Sequence, residues 1–137
     1  MLLINARSDE AIASDVKLAL SRADRRQGLL GKDCLDVSAA LVLSPCWSIH
    51  TMFMRFRIDV VFVDRDGRAV RIVRELAPWR MAVAPRAHAA IELPAGSLRA
   101  RDVRVGDEFY LMPPVSPSLR VLRRPTLGFW DRTLQGS

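Results

Sequence analysis

Asp66-Gly67 stands between two runs rich in β-branched and aromatic residues, Ile58 to Val63 and Val70 to Val73. An Asp-Gly pair tolerates the positive φ angles of a tight turn, so this segment predicts a β-hairpin. The hairpin constrains much else, because strand side chains alternate between two faces. A two-residue turn at Asp66-Gly67 pairs Val63 with Val70 and Val61 with Ile72. Asp59 then shares a face with those four aliphatic residues; a three-residue turn shifts the pairing partners but leaves Asp59 with the parity of Val61 and Val63. A carboxylate in that position must be hydrogen-bonded or paired, since burying a bare charge is prohibitive.

The remaining periodicity is mostly that of short strands. Leu2-Leu3-Ile4 begins one, and Val16, Leu18 and Leu20 alternate with Lys17 and Ala19 in another. Ala39 to Leu43 is an apolar run closed by Ser44-Pro45, and Ala89 to Leu93 is a run ended by Pro94-Ala95-Gly96. Val105-Gly106-Asp107 reads as a tight turn into a last strand, Glu108 to Met112. Ser21 is a predicted helix N-cap for a short helix stopped by Gly31, and Ser97 to Val103 can form one helical turn. Ala77 to Pro85 is expected to be a loop crossing the sheet. With about seven or eight short strands and no βαβ alternation, the expected fold is mainly β (α+β). Its expected form is a small antiparallel barrel-like domain with one or two short helices, over residues 1–112.

The length of 137 residues, half of them hydrophobic, suits one soluble globular domain. No apolar run approaches the roughly 20 residues of a membrane-spanning helix. Residues 1–10 lack the pattern of a secretory signal, so a cytoplasmic location is expected. Cys34 and Cys46 are too few for a disulfide scaffold and are expected to be reduced thiols. The net charge of +6 comes almost entirely from arginine, and it is spread too thinly for a nucleic-acid footprint. It is densest in residues 113–137, where Arg120, Arg123, Arg124 and Arg132 face Asp131 alone. That Pro-containing tail also holds Leu127, Phe129 and Trp130, more apolar character than a solvated linker carries. It is expected to dock on its own domain, or to mediate self-association or contact with an acidic partner.

Four segments resemble one known family. Arg26-Gln27-Gly28-Leu29-Leu30-Gly31-Lys32 is similar to the Arg-x-Gly-Leu segment of the domain-of-unknown-function 192 family (uncharacterised protein family 0127). Ile58 to Asp64 with Asp66-Gly67-Arg68-Ala69-Val70 resembles its central hairpin. Ala90-Ile91-Glu92-Leu93-Pro94-Ala95-Gly96 and Val103 to Asp107 resemble its later Glu-x-x-Ala-Gly and Gly-Asp segments. The likeness runs from about Val16 to Met112 and implies a compact β-rich fold with no established activity. His50-Thr51-Met52-Phe53-Met54 replaces the family's common Trp-Met-Lys-Asn-Thr, and Arg57 stands where proline is usual. Roles tied to that lysine or asparagine therefore do not transfer.

The candidate chemistry lies between Cys46 and Asp59. Read as a strand, Cys46-Trp47-Ser48-Ile49-His50-Thr51-Met52-Phe53-Met54 puts Cys46, Ser48, His50, Met52 and Met54 on one face. Thiol, imidazole and thioether together suit a soft metal such as copper(I), although methionine in an apolar strand is also ordinary core. Cys46 and His50 in an extended strand are roughly 13 Å apart, too far to share a metal or a proton directly, whereas His50 with Met52, or Met52 with Met54, is nearer. No triad, zinc set or phosphate loop is present, and no cofactor is implied. The expected function is a non-enzymatic binding or accessory module with a site at the barrel end. His50, Arg55, Arg57 and Asp59 form that site, and Trp79 covers it. A soft-metal site of Cys46, His50, Met52 and Met54 is the alternative. An enzyme using Asp59 and His50 is the second alternative.

Overall fold

In the computed structural model, which describes residues 1–113, the chain forms ten strands and two short helices. The first half contains β1 (Leu2–Asn5), β2 (Glu10–Ala13), β3 (Asp15–Ala19), α1 (Arg22–Gln27), β4 (Ala39–Leu43) and β5 (Ser48–His50). The second contains β6 (Ile58–Val63), β7 (Ala69–Leu76), β8 (Met81–Val83), β9 (Ala89–Pro94), α2 (Ser97–Ala100) and β10 (Phe109–Met112). The expected docking of the tail falls beyond Pro113 and lies outside the described residues.

The strands form three sheets, in the orders β10-β1-β2, β3-β4-β9-β6-β7 and β5-β8. The domain is mainly β and mostly antiparallel, as expected, but its sheets do not close into a true barrel. One pair, β3 with β4, is parallel. Parallel neighbours require a crossover, and residues 20–38 with α1 supply it. The sequence reading missed this single βαβ-like unit because the crossover helix is only six residues long. Ser21 caps it as predicted, its hydroxyl accepting the Asp24 amide at 3.0 Å.

The hairpin forms with one change. Val61 faces Ile72 as predicted, but Val63 pairs with Ala69 rather than Val70. The turn is longer than two residues because the Asp64 carboxylate accepts the amides of Asp66 at 2.9 Å and Arg68 at 3.0 Å. Gly67 takes the positive φ of 78° that this loop needs. The extra residue is absorbed as a bulge, which turns Val70 to the opposite face.

Strands β6 and β9 lie inside the five-stranded sheet and are buried on both faces. One face carries Val61, Val63, Ile91 and Leu93 and packs on Leu3, Ile12, Phe109 and Leu111 of the three-stranded sheet. The other carries Ile58, Val60, Phe62 and Ala90 beneath Leu29, Ile49, Met54 and Ala82. Each fully buried Phe, Ile or Leu of these layers contributes about 1.5–3 kcal/mol. The central sheet is thus a partition between two apolar layers. That partition decides which of the candidate residues can meet.

The expected crossing loop, Ala77 to Pro85, holds a strand, β8, which pairs with β5 to make the cover of the second layer. The chain leaves β5 sharply. Phe53 adopts φ 65°, so the run from Cys46 to Met54 is not one extended strand and does not present a common face. Met52 is exposed, whereas Met54 is buried in the second layer.

Candidate functional site

A cleft of about 430 Å³ opens on the second apolar layer, between α1 and the segment leading into β5. Its walls are Leu29, Leu30, Leu43, Ile49 and Met54, with Trp47 and His50 at the exposed side. Arg25, Arg26 and Gln27 of α1 line the other side. Glu92 forms part of the lining from the central sheet.

Glu92 is the chemically unusual member. It lies mid-strand in β9, between Leu41 of β4 and Val60 of β6, and is only 4 % exposed. Its Oε2 has no hydrogen-bond partner among the described residues. Burial raises its carboxyl from the ordinary 4.5 to about 7. An unpaired carboxyl inside an apolar layer is costly, and retaining one is typical of sites where function opposes stability.

Cys46 shares the cleft. Burial pushes its thiol up; a Ser48 backbone hydrogen bond pulls the other way, and the smaller effects of the Glu92 charge and Arg25 raise and lower it respectively. The Sγ lies 3.1 Å from the Ser48 carbonyl, to which it donates. A protonated thiol is a poor nucleophile and a poor metal ligand. The Arg25 guanidinium is held by the carbonyls of Leu20 and Ser44. Arg26 is exposed at the cleft mouth.

The structure separates most of the residues singled out from sequence. Asp59 lies opposite Leu93 on the face packed against the three-stranded sheet, with the central sheet between it and the cleft. Its Oδ1 accepts the Glu75 amide at 2.8 Å and its Oδ2 accepts the Leu98 amide at 3.0 Å. The carboxylate thereby fixes Glu75, which has a φ of 50°, and anchors α2. His50 is on the cleft side, so the sheet stands between the two residues of the Asp59–His50 pair. Arg55 is exposed and forms an ion pair with Asp33 at 2.6 Å. Arg57 donates to the Glu75 carbonyl at 3.3 Å. Trp79 is exposed and packs against Phe53 in a tilted ring pair with centroids 4.6 Å apart, outside the cleft lining.

Of the proposed soft-metal set, Cys46, His50 and Met54 line the cleft and Met52 does not. Among the described residues no three His, Cys, Asp or Glu side chains are grouped to hold a metal ion. Glu92 itself was missed. The signal was a glutamate inside the apolar run Ala89-Ala90-Ile91-Glu92-Leu93, a strand that the sequence already marked as buried.

A second polar centre is structural. Asp107 accepts Asn5 Nδ2 at 2.9 Å, Arg7 Nε at 2.7 Å and the Arg104 amide at 2.9 Å. Burial works to raise its carboxyl, but the Arg7, Arg104 and Asn5 hydrogen bonds win and hold it below 3.8. It ties the Gly106-Asp107 turn to the end of β1.

Fold and site together define a small mainly β domain with a ligand-sized cleft built around one buried carboxyl. The chain belongs to the domain-of-unknown-function 192 family, described as an uncharacterized ACR, whose model matches residues 3–111. A UPF0127 protein from Pyrococcus furiosus is 41% identical over 61 residues, covering 44% of this chain and 52% of that protein. The chain thus spans about half the length of that relative. A UPF0127 protein from Thermococcus sibiricus is 31% identical over 113 residues, covering 78% of this chain and 72% of its own.

Two solved structures share the fold. One, a protein from Sinorhizobium meliloti described only provisionally as a transcription regulator, has a TM-score of 0.69 at 20% identity, over 80% of this chain and 89% of that one. The other, a protein of unknown function from Novosphingobium aromaticivorans, has a TM-score of 0.72 at 17% identity, over 81% and 84%. At such identities the likeness concerns the fold alone. Among the described residues, no helix is long and apolar enough to cross a membrane.

Proposed function

We propose that this protein is a non-enzymatic small-molecule binding module, with the cleft beside α1 as its site. One observation carries the reading: a buried carboxyl, Glu92, with an unpartnered oxygen in a partly apolar cleft of about 430 Å³. That volume lies at the low end of the usual range for small-ligand pockets, enough for one compact organic molecule. Binding is favoured over catalysis here because the reactive groups are not assembled. Cys46 is held protonated, and Asp59 is committed to backbone amides on the far side of the sheet. Two free cysteines support a cytoplasmic setting for this activity.

Fragment binding followed by amide NMR tests the proposal. Hits should perturb Trp47, Cys46 and Leu29 together, and the same hits should slow alkylation of Cys46 without protecting the exposed Cys34. Hits scattered over the surface, with the cleft resonances unmoved, would refute it.

A further inference from the structure

The chemistry of the cleft goes further than its volume and names a class of ligand; this step rests on the cleft being a ligand site. We propose that it takes a small monoamine on an apolar body, with the ammonium group seated on Glu92. Three features carry the argument. First, Leu29, Leu30, Leu43, Ile49 and Met54 line the cleft along with Glu92 and supply an apolar wall, so the body of the ligand is apolar. Second, the carboxyl has an unpartnered oxygen, and among the described residues no cation is bound to it. Arg25 is spent on the Leu20 and Ser44 carbonyls, and no ion pair to Arg26 forms. An ammonium group supplies both the missing donor and the missing charge, and a charge-assisted bond is about twice as strong as a neutral one. Third, Arg25 and Arg26 stand at the α1 side of the mouth. They oppose a second positive charge, so a monoamine fits better than a polyamine.

The competing ligand classes fit less well. A carboxylate ligand would place a second negative charge beside Glu92 and would bind only while Glu92 keeps its proton. A neutral alcohol would satisfy the orphan oxygen but leave the ionised carboxyl uncompensated. A metal ion lacks the ligand group it needs among the described residues.

Protonation gives the proposal a second signature. The ammonium binds the ionised carboxyl, whose population falls as pH drops through about 7. The groups that face Glu92 from the packed elements are Arg25 and Arg26 on α1, and Cys46 and His50 on the opposite wall; its sheet neighbours Leu41 and Val60 are apolar. The pH response is therefore read against a variant that removes Glu92 alone.

Calorimetry and amide NMR on the full chain and on Glu92→Gln decide the matter, with phenethylamine, 3-phenylpropanol, 3-phenylpropionate and spermidine as probes. Phenethylamine should bind at the cleft at least tenfold more tightly than the alcohol, the acid or the polyamine at pH 8. Its affinity should fall about tenfold between pH 8 and pH 6. Glu92→Gln should abolish that pH response and weaken the amine at least tenfold, while still binding the alcohol, which shows that the cleft is intact. If the alcohol or the acid binds the cleft of the wild-type protein as well as the amine does, or if the variant keeps full amine affinity, the amine assignment is wrong and the cleft reading survives. If none of the four probes moves a cleft resonance at millimolar concentration, both fall together.

Discussion

Replacing Glu92 by glutamine should make the protein more stable at and above neutral pH. The carboxyl is held at about 7 in the folded protein against the ordinary 4.5, and burial is the cause. Between those two values the folded protein retains a proton that the unfolded chain has released. The contribution of Glu92 to stability is therefore greatest below 4.5 and declines as pH rises to about 7, by about 3 kcal/mol in all. Glutamine fills nearly the same space and carries no charge at any pH, so the variant lacks this decline. Urea unfolding at a series of pH values measures both proteins. The difference in unfolding free energy, variant minus wild type, should be flat below pH 4.5, rise through the interval and level off above pH 8. For a domain of this size the gain amounts to on the order of 10 °C in Tm. Other titrating groups, Asp107 included, are common to both proteins and cancel in the difference. Parallel pH profiles would refute the reasoning, because they would mean that Glu92 is hydrated or paired and titrates like an exposed carboxylate.

Asp59 should behave in the opposite way. Asp59→Ala removes the acceptors of two backbone amides and should cost about 3–5 kcal/mol in urea unfolding, whereas Asp59→Asn keeps one acceptor, should lose about half as much and should leave cleft binding unchanged. Asp107→Asn should destabilise by about 2–4 kcal/mol at neutral pH. Because the carboxyl of Asp107 is held below 3.8, its stabilisation is present above that value and is lost as pH falls through the folded-state value; the variant should therefore show a shallower acid decline in the same assay. Cysteine-specific alkylation at pH 7.5 should modify the exposed Cys34 quickly and Cys46 at least tenfold more slowly; equal rates would show that the cleft thiol is neither buried nor protonated.

The features legible in the sequence are local ones. The Asp-Gly hairpin, the Ser21 cap and the apolar strands at Ala39 to Leu43 and Ala89 to Leu93 each announce themselves within a few residues, and each forms. The pairing of β5 with β8 does not, because two strands of three residues gain their stability from partners about thirty positions apart and from the layer they cover. The parallel β3–β4 pair was hidden for a similar reason, its crossover helix being too short to show a periodicity. Asp59 illustrates a subtler limit. Its strand parity and its burial with Val61, Val63 and Ile72 could be read from alternation. Alternation cannot say which face holds an open cleft, and that face belongs to Val60, Phe62 and Glu92. The glutamate in β9 was visible as a charge in an apolar run, but its neighbours Cys46, Arg25 and His50 reach it only through the tertiary fold. The bend at Phe53 likewise undid the single-faced array of sulfur and imidazole groups that an extended strand would have presented.

The account turns on the state of one carboxyl, and carbon-13 NMR of the Glu92 side chain reads it directly. Following its carboxyl resonance against pH, first in the free protein and then with saturating phenethylamine, should give a midpoint near 7 that falls when the amine is bound, since the ammonium stabilises the charged form. A midpoint near 4.5 in the free protein, or one near 7 that stays in place while the amine occupies the cleft, would contradict it.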